Sequence, residues 1–254
     1  EPLPLQYIYF LWDAIRLDFG RSFISDVPVA DLIARNLPHT IYLTIVSVLM
    51  GLCLGIPFGV FAATRRNRPP DNALRIYSLI GYSIPDFYLA AILLIVFSLQ
   101  LGWFPINGAG TGFWDGLHHI LLPAMTLAML KSAFMGRLTR TSVLEVLGRD
   151  YVRTARAKGA REGRVIYRHG LRNAMLPLST GIGISILATL SGSVAVELVF
   201  NRPGIGRLLI DAISERDYPV IQAGVMMFAF FVILVNLVMD VVYVFVDPRI
   251  RMKS

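Results

Sequence analysis

The chain has 254 residues, of which 55% are hydrophobic and only 16% are charged, and its mean hydropathy is +0.61. Soluble globular domains carry about 25% charged residues, so this composition excludes an ordinary water-soluble domain. The net charge of +7 would suit nucleic-acid binding, but the placement of the basic residues along the chain explains it differently.

Five apolar runs approach the roughly 20 residues that a helix needs to cross hydrocarbon. They predict an all-α integral membrane protein with spans at 41–63, 73–101, 120–135, 174–200 and 220–246. Residues 1–40 mix aromatic and charged side chains, which favours an interfacial or periplasmic segment over a span. We therefore expect a transmembrane domain over 41–254, preceded by that segment.

Basic residues alternate between successive connections. Arg65, Arg66 and Arg68 follow the first span, the connection 102–119 contains no Lys or Arg, and 137–172 holds ten of them against three acidic residues. Because short cytoplasmic loops collect Lys and Arg, this pattern predicts a cytoplasmic location for 64–72, 137–172 and 247–254. The same rule places 1–40, 102–119 and 201–219 outside, and it leaves no excess charge that calls for nucleic acid.

Small residues and a proline shape the first two spans. Gly51, Gly55 and Gly59 recur every four residues and predict a helix face that another helix approaches closely. Pro85 is expected to kink the second span, because it removes a backbone hydrogen bond. Cys53 is the single cysteine, so it forms no intrachain disulfide, and we interpret it as a small buried apolar residue.

Polar residues on the later spans leave two interpretations open. Ser185, Thr189, Ser193 and Glu197 form a stripe with four-residue spacing. They line a solute pathway entered from outside, or they make hydrogen bonds between helices, with Glu197 paired to an arginine such as Arg202. On other spans, Asn236 and Asp240 are expected to pair with a neighbouring helix, Lys131 to snorkel or face a wet cavity, and Asp86 has no assignable partner.

The connection 137–172 contains a short segment suited to docking. Tyr151, Ala155 and Gly159 recur every four residues, with Val152 beside them. On a helix they form a narrow face that fits a partner's groove, and Gly159 is expected to end that helix. The flanking Arg153, Arg156 and Lys158 can pair with acidic groups. The alternative is a surface helix without a partner.

A second set of basic residues follows this segment. Arg161, Arg164, Arg168 and Arg172 form a stripe at helical spacing. Such a stripe is typical of a helix that lies against anionic lipid headgroups.

Several sequence blocks resemble one family. The stretch Tyr151-Val-Arg-Thr-Ala-Arg-Ala-Lys-Gly159 and the following Leu171-Arg-Asn-Ala-Met-Leu-Pro177 are similar to the cytoplasmic coupling loop of binding-protein-dependent ABC importer permeases. Further blocks match in the same order: Asp18-Phe-Gly-Arg-Ser-Phe23, Gly102-Trp-Phe-Pro105, Asn201-Arg-Pro-Gly-Ile-Gly-Arg207, Arg216-Asp-Tyr-Pro-Val220 and Asp247-Pro-Arg-Ile-Arg251. Within the family, the chain resembles the dipeptide, oligopeptide and glutathione group.

The resemblance implies a type I importer fold in the bacterial cytoplasmic (inner) membrane. Its expected partners are a second permease subunit, two cytoplasmic ATPase subunits that bind ATP and magnesium, a periplasmic or extracellular solute-binding protein, and membrane lipid. The segment Tyr151–Gly159 would be the ATPase-coupling helix. The family pattern begins this loop with Glu-Ala-Ala, whereas this chain has Arg153-Thr-Ala155, so a basic contact to the ATPase is expected instead. Family members also begin with one more spanning helix, and we interpret the chain as lacking that sixth helix.

Two other functions compete with a permease. An intramembrane enzyme would need a catalytic or metal-binding constellation at membrane depth, and the four histidines lie in loops or at span edges. No G-x-x-x-x-G-K-[ST] phosphate loop is present, so the chain is not itself a P-loop ATPase. A passive channel would explain the polar stripe but not the coupling segment. We predict no catalytic residues and no metal site.

Overall fold

The computed structural model describes residues 2–16 and 18–246, and all the regular secondary structure in those ranges is helical. The α-helices are α1 Leu3–Ile15, α2 Val29–Thr64, α3 Pro69–Ser83, α4 Asp86–Leu93, α5 Gly112–Leu147, α6 Asp150–Ala157, α7 Glu162–Arg164, α8 Arg172–Val199, α9 Ile205–Glu215 and α10 Tyr218–Val246. Two π-helical segments extend this series, Leu94–Gln100 after α4 and Val165–Leu171 between α7 and α8. The tail block Asp247-Pro-Arg-Ile-Arg251 and the tail 247–254 lie outside the described residues.

The number of membrane-spanning segments agrees with the sequence. Within the described ranges, four helical stretches are long and apolar enough to cross a membrane, and the number is five when the bent pair of α3 with Asp86–Gln100 is counted as one span. The helices are longer than the apolar runs: α2 begins at Val29 and α5 covers 36 residues. Hydropathy detects only the part of a helix that is apolar, because polar residues such as Asp31 continue a helix without interruption.

The first turns of α2 belong to the helical bundle, so the division expected at residue 40 falls inside a helix. Val29 and Ile33 are buried in a cluster with Ile205 of α9 and Val220 of α10. α1 and the loop after it precede this cluster.

A buried aspartate ties that N-terminal loop to the end of the bundle. Asp217 is 3% exposed and accepts hydrogen bonds from Ser22 Oγ at 2.5 Å and from the Phe23 N–H at 3.1 Å. Ser22 and Asp217 lie 195 positions apart in the chain. The contact brings the sequence blocks around Ser22 and Asp217 to the same place in the fold.

Pro85 does more than kink the second span. Ile84 and Pro85 both adopt extended backbone conformations, and α3 is bent by 103° relative to Asp86–Gln100, which comprises α4 and the π-helical segment after it. A proline disfavours a helical conformation in the residue before it, so the helix ends at Ser83 and a new one starts at Asp86. The predicted kink is confirmed as a full break.

The glycine face of α2 packs directly on the backbone of α5. A Cβ atom on Gly55 would lie 2.8 Å from the carbonyl oxygen of Ser132, and one on Gly59 would lie 2.5 Å from that of Gly136. Gly136 is itself a glycine, so both helices present bare backbone at this crossing. The predicted close approach is confirmed.

α3 crosses α5 through polar contacts. Tyr77 donates its hydroxyl proton to the carbonyl oxygen of Met129 at 2.7 Å, and Ser78 donates to that of Ala133 at 3.1 Å. Close packing at this crossing also uses small residues, since Gly81 lies against Ala133. α5 thereby contacts α2, α3, α4 and α8 and forms the centre of the fold.

Cys53 corrects one expectation. Its side chain is exposed, because it lies on the face of α2 opposite the glycines, and not in the core. Exposed apolar residues such as Leu49 and Leu54 lie on neighbouring positions of the same helix. The helical period shows which residues of α2 share a face, and the glycines mark the face that is turned toward α5.

We predict that Gly55→Leu lowers the thermal unfolding midpoint of the detergent-solubilised protein, because its side chain meets fixed α5 backbone. Overpacking costs about 1–3 kcal/mol of stability. We expect a cost at the upper end of this range, because the new side chain would meet backbone atoms that cannot move aside. Fluorescence-detected size exclusion after heating measures the shift. Cys53→Leu, on the exposed side of the same helix, is the control and should melt like the wild type. Equal midpoints for the two variants would contradict the packing described here.

Candidate functional site

The coupling segment folds as a capped surface helix. α6 ends at Ala157, and Gly159 adopts φ +80°, a left-handed conformation that favours glycine. The Ala160 N–H donates to the Ala155 carbonyl at 3.1 Å and the Gly159 N–H to that of Arg156 at 2.9 Å. This pair of bonds is the Schellman motif, so the predicted helix stop at Gly159 is confirmed.

A buried side chain anchors α6 on the rest of the protein. Val152 is fully buried, and α6 contacts the π-helical segment Val165–Leu171. Tyr151 is 47% exposed, Ala155 is half-buried, and a side chain added at Gly159 would meet open space. The structure therefore separates the segment into an inward anchor and an outward face of one aromatic and two small residues.

The basic flanks of α6 differ in their surroundings. Arg156 donates two hydrogen bonds to Glu162, at 2.6 and 3.2 Å, and this contact raises the pKa of Arg156. Arg153 lies 3.6 Å from Asp150, with both groups largely exposed. Lys158 has no partner within the described part of the chain. The ion pair of Arg156 joins α6 to α7 and was not predicted.

The four arginines of the basic stripe are all exposed. Arg161 precedes α7, Arg164 ends it, Arg168 lies in the π-helical segment and Arg172 opens α8. The stripe therefore follows a continuous helical path, but the π-helical segment changes the spacing between its members.

The polar stripe of α8 is enclosed within this one chain. Ser185, Thr189, Ser193 and Glu197 are all at most 1% exposed. The three hydroxyls donate to carbonyl oxygens of their own helix, at distances of 2.6–2.9 Å. In this conformation the stripe offers no surface to a solute, so its role as a pathway stays a prediction, and the hydroxyls do not join α8 to other helices.

Glu197 connects three helices. It accepts a hydrogen bond from Thr40 Oγ1 of α2 at 2.7 Å, and Thr40 Oγ1 accepts the Ile205 N–H at 2.8 Å. The Glu197 carboxylate also accepts the N–H of Gly206 and, at 3.2 Å, the N–H of Arg207. These N–H groups belong to the first turn of α9. Backbone N–H groups in the first turn of a helix have no acceptor within that helix, so Glu197 supplies one.

Glycines make room for this carboxylate. A Cβ on Gly204 would collide with the Glu197 carboxyl group, and one on Gly206 would lie 2.9 Å from Oε2. The block Asn201–Arg207 is thus a turn that wraps around Glu197. Thr40, which the sequence analysis did not single out, stands 157 positions from its partner, and no local pattern points to the pair.

Arg202 does not form the expected ion pair with Glu197. It is 2% exposed, burial lowers its pKa, and it lies within electrostatic reach of Glu197 but not within 4 Å. The one hydrogen bond of its side chain to the described residues is a 3.5 Å contact to the Gly108 carbonyl, and its Nε has no partner there.

Three intramembrane polar expectations have different outcomes. Asn236 and Asp240 are exposed on α10 and have no hydrogen-bond partner in the described ranges, so their pairing with a neighbouring helix stays a prediction. Lys131 is half-buried and interacts electrostatically with Asp86. Asp86 packs against the bare backbone of Gly192, and Lys131 lies within electrostatic reach of it without forming an ion pair.

Comparison with known proteins identifies the family. The family described as "Binding-protein-dependent transport system inner membrane component" matches residues 55–252. Two similar relatives are the oligopeptide transport system permease protein AppB of Bacillus subtilis (strain 168) and the glutathione transport system permease protein GsiC of Escherichia coli (strain K12). They are 43% and 46% identical over 99% and 100% of this chain, and the matches cover 81% of each relative.

The chain belongs to this permease family.

The fold of this permease agrees with solved importers. An inward-facing MetNI methionine ABC transporter matches with a TM-score of 0.71 at 18% identity, over 85% of this chain and 96% of the other. An amino acid ABC transporter crystallised with histidines matches with a TM-score of 0.62 at 14% identity, over 84% and 93%. At sequence identities this low, the structural similarity shows a shared fold.

Family membership settles several expectations at once. The protein is a multi-pass inner-membrane permease and not a catalytic subunit. As a component of a binding-protein-dependent ABC transporter, the permease functions with ATPase and solute-binding partners. The enzyme and passive-channel alternatives are thereby excluded.

We predict that Glu197→Ala destabilises this permease, because it leaves buried donors of Thr40 and of the α9 first turn without an acceptor. An unsatisfied buried group costs about 1–3 kcal/mol, so a clear drop in thermal midpoint is expected. Ser193→Ala is the matched control, since its equally buried hydroxyl bonds only to its own helix. If Glu197→Ala melted like the wild type and yet lost solute uptake, the pathway interpretation would be supported instead.

Proposed function

We propose that this permease conducts peptides or peptide-like solutes into the cell. One observation carries the proposal: relatives 43–46% identical over essentially the whole chain are named for oligopeptide and glutathione transport. The translocation pathway would form together with a second permease subunit, a solute-binding protein would deliver cargo from outside, and two ATPase subunits would bind ATP and magnesium.

The same proposal assigns α6 as the site of ATPase docking. Its outward face of Tyr151, Ala155 and Gly159 presents one aromatic side chain beside small residues, which suits insertion into a groove. Arg156 is committed to Glu162, so Arg153 and Lys158 are the groups that remain for an acidic ATPase surface. The buried Val152 would transmit movement of α6 to the spanning helices.

We predict that Tyr151→Ala reduces co-purification of the ATPase subunits at least tenfold, because exposed aromatic anchors dominate docking surfaces. Quantitative mass spectrometry of the tagged permease complex measures it. Tyr167→Ala removes an exposed tyrosine from the adjacent π-helical segment and is the control. Tyr151 is preferred to Gly159, whose left-handed φ would confound docking with strain. Full retention of the ATPase subunits by Tyr151→Ala would refute the assignment of α6 as their docking site.

We predict ATP-dependent uptake of small peptides by the complete transporter. Cells without other peptide importers, expressing the permease with its partner subunits and binding protein, are given labelled dipeptide, tetrapeptide, glutathione or free amino acid. Uptake of one peptide class, abolished by an ATPase subunit unable to hydrolyse ATP, is the expected result. Uptake of free amino acids alone would contradict the proposal.

A further inference from the structure

Three arginines meet in a groove between α3 and α5. The α3–α5 groove is lined by Arg75, Leu79, Tyr82, Arg137, Arg140 and Thr141, among others. None of these residues belongs to α6, to the basic stripe or to the polar stripe of α8. The groove is therefore separate from the sites described above.

A buried aspartate fixes two of the arginines. Asp71 has a fully buried side chain and forms an ion pair with Arg140 through both Nε and Nη2. Arg75 Nη2 lies 3.0 Å from the same carboxylate, and the Asn67 N–H donates to it at 2.8 Å. Both oxygens of the Asp71 carboxylate therefore already accept hydrogen bonds. The groove contains three guanidinium groups and this single negative charge.

Arg137 has no acidic partner among the described residues. Its Nη2 donates to Tyr82 Oη at 2.9 Å, and its guanidinium lies 4.4 Å from the centre of the same ring. The arginine is held in place by a neutral group. Most of its five N–H donors stay free for an external acceptor.

The position of the groove along α5 matches the level of lipid headgroups. His118 of α5 hydrogen-bonds the Trp103 carbonyl, and Trp103 and Trp114 are 60% and 78% exposed, as in the aromatic belt at a membrane surface. Nineteen residues separate His118 from Arg137, or roughly 28 Å of helix. The hydrocarbon layer is about 30 Å thick, so Arg137 and Arg140 lie at the opposite surface.

The outer side of α3 is apolar next to the groove. Ile76, Leu79 and Ile80 are 61%, 69% and 50% exposed. Leu79 belongs both to this apolar surface and to the groove lining. A ligand with an anionic head and a hydrocarbon tail would satisfy both parts, whereas a soluble anion would use only the arginines.

We propose that the α3–α5 groove binds the phosphate of an anionic phospholipid from the cytoplasmic leaflet, with an acyl chain lying along Ile76, Leu79 and Ile80. Basic pockets between helices on the cytoplasmic side recognise such headgroups. The site differs from arginines that merely extend to the interface, because Asp71 and Tyr82 hold the guanidinium groups in a fixed arrangement.

The test measures lipid retained by the assembled transporter. Complexes containing wild-type permease, Arg137→Gln or Arg75→Gln/Arg137→Gln are reconstituted in nanodiscs of phosphatidylglycerol and phosphatidylcholine, extracted, and analysed by native mass spectrometry. Arg140 is left intact so that Asp71 keeps its partner and the fold is preserved. Arg65→Gln/Arg66→Gln removes the same charge from the neighbouring α2–α3 connection and is the matched control.

We expect the wild type and the control to retain phosphatidylglycerol over phosphatidylcholine, and the double groove variant to bind it roughly tenfold to thirtyfold more weakly. Arg137→Gln alone should fall between them, with an unchanged elution profile in size exclusion. Equal retention by all forms would overturn the proposal. Displacement of the lipid by millimolar glycerol phosphate or inorganic phosphate would also overturn it, since a soluble phosphate site would then be indicated.

Discussion

The bare-backbone contact between α2 and α5 is the constraint on which the rest of the fold depends. Gly55 and Gly59 lie against the carbonyl oxygens of Ser132 and Gly136, so the two longest helices pack without intervening side chains. α5 then offers its remaining faces to α3, α4 and α8. Because a membrane supplies no hydrophobic drive between helices, such close packing and interhelical hydrogen bonds are what hold the bundle together.

A second layer of the structure consists of contacts that join distant parts of the chain. Glu197 links α8 to α2 and to the start of α9, while Asp217 holds the loop around Ser22. Both carboxylates are buried and both accept several hydrogen bonds, which offsets the cost of removing them from water. Together they position the outer end of the bundle, whereas Asp71 does the same at the opposite end.

Much of this architecture could be predicted from the sequence, because helices and their faces are local properties. The glycine face, the break at Pro85 and the cap at Gly159 each follow from a few neighbouring residues. The partners of Glu197, Asp71 and Asp217 could not be predicted, since each pair depends on how distant helices pack. The exposure of Cys53 was missed even though the glycine face marks the opposite side of α2 as the inward one. The exposure of Asn236 was missed because the apolar run of α10 does not by itself show which of its faces is turned inward.

The unbroken length of α5 has a mechanical consequence. Thirty-six helical residues form a rod of roughly 54 Å, and the hydrocarbon layer accounts for about 30 Å of it. The remaining length of α5 places the connection to α6 beyond the lipid headgroups. A large soluble protein can therefore bind there without contacting the lipid surface. Pro123 is the only proline inside α5, so the stretch from Pro123 to the protruding end is free of such a break. Any tilt imposed on that end must therefore also swing the part of α5 that packs on the glycines of α2.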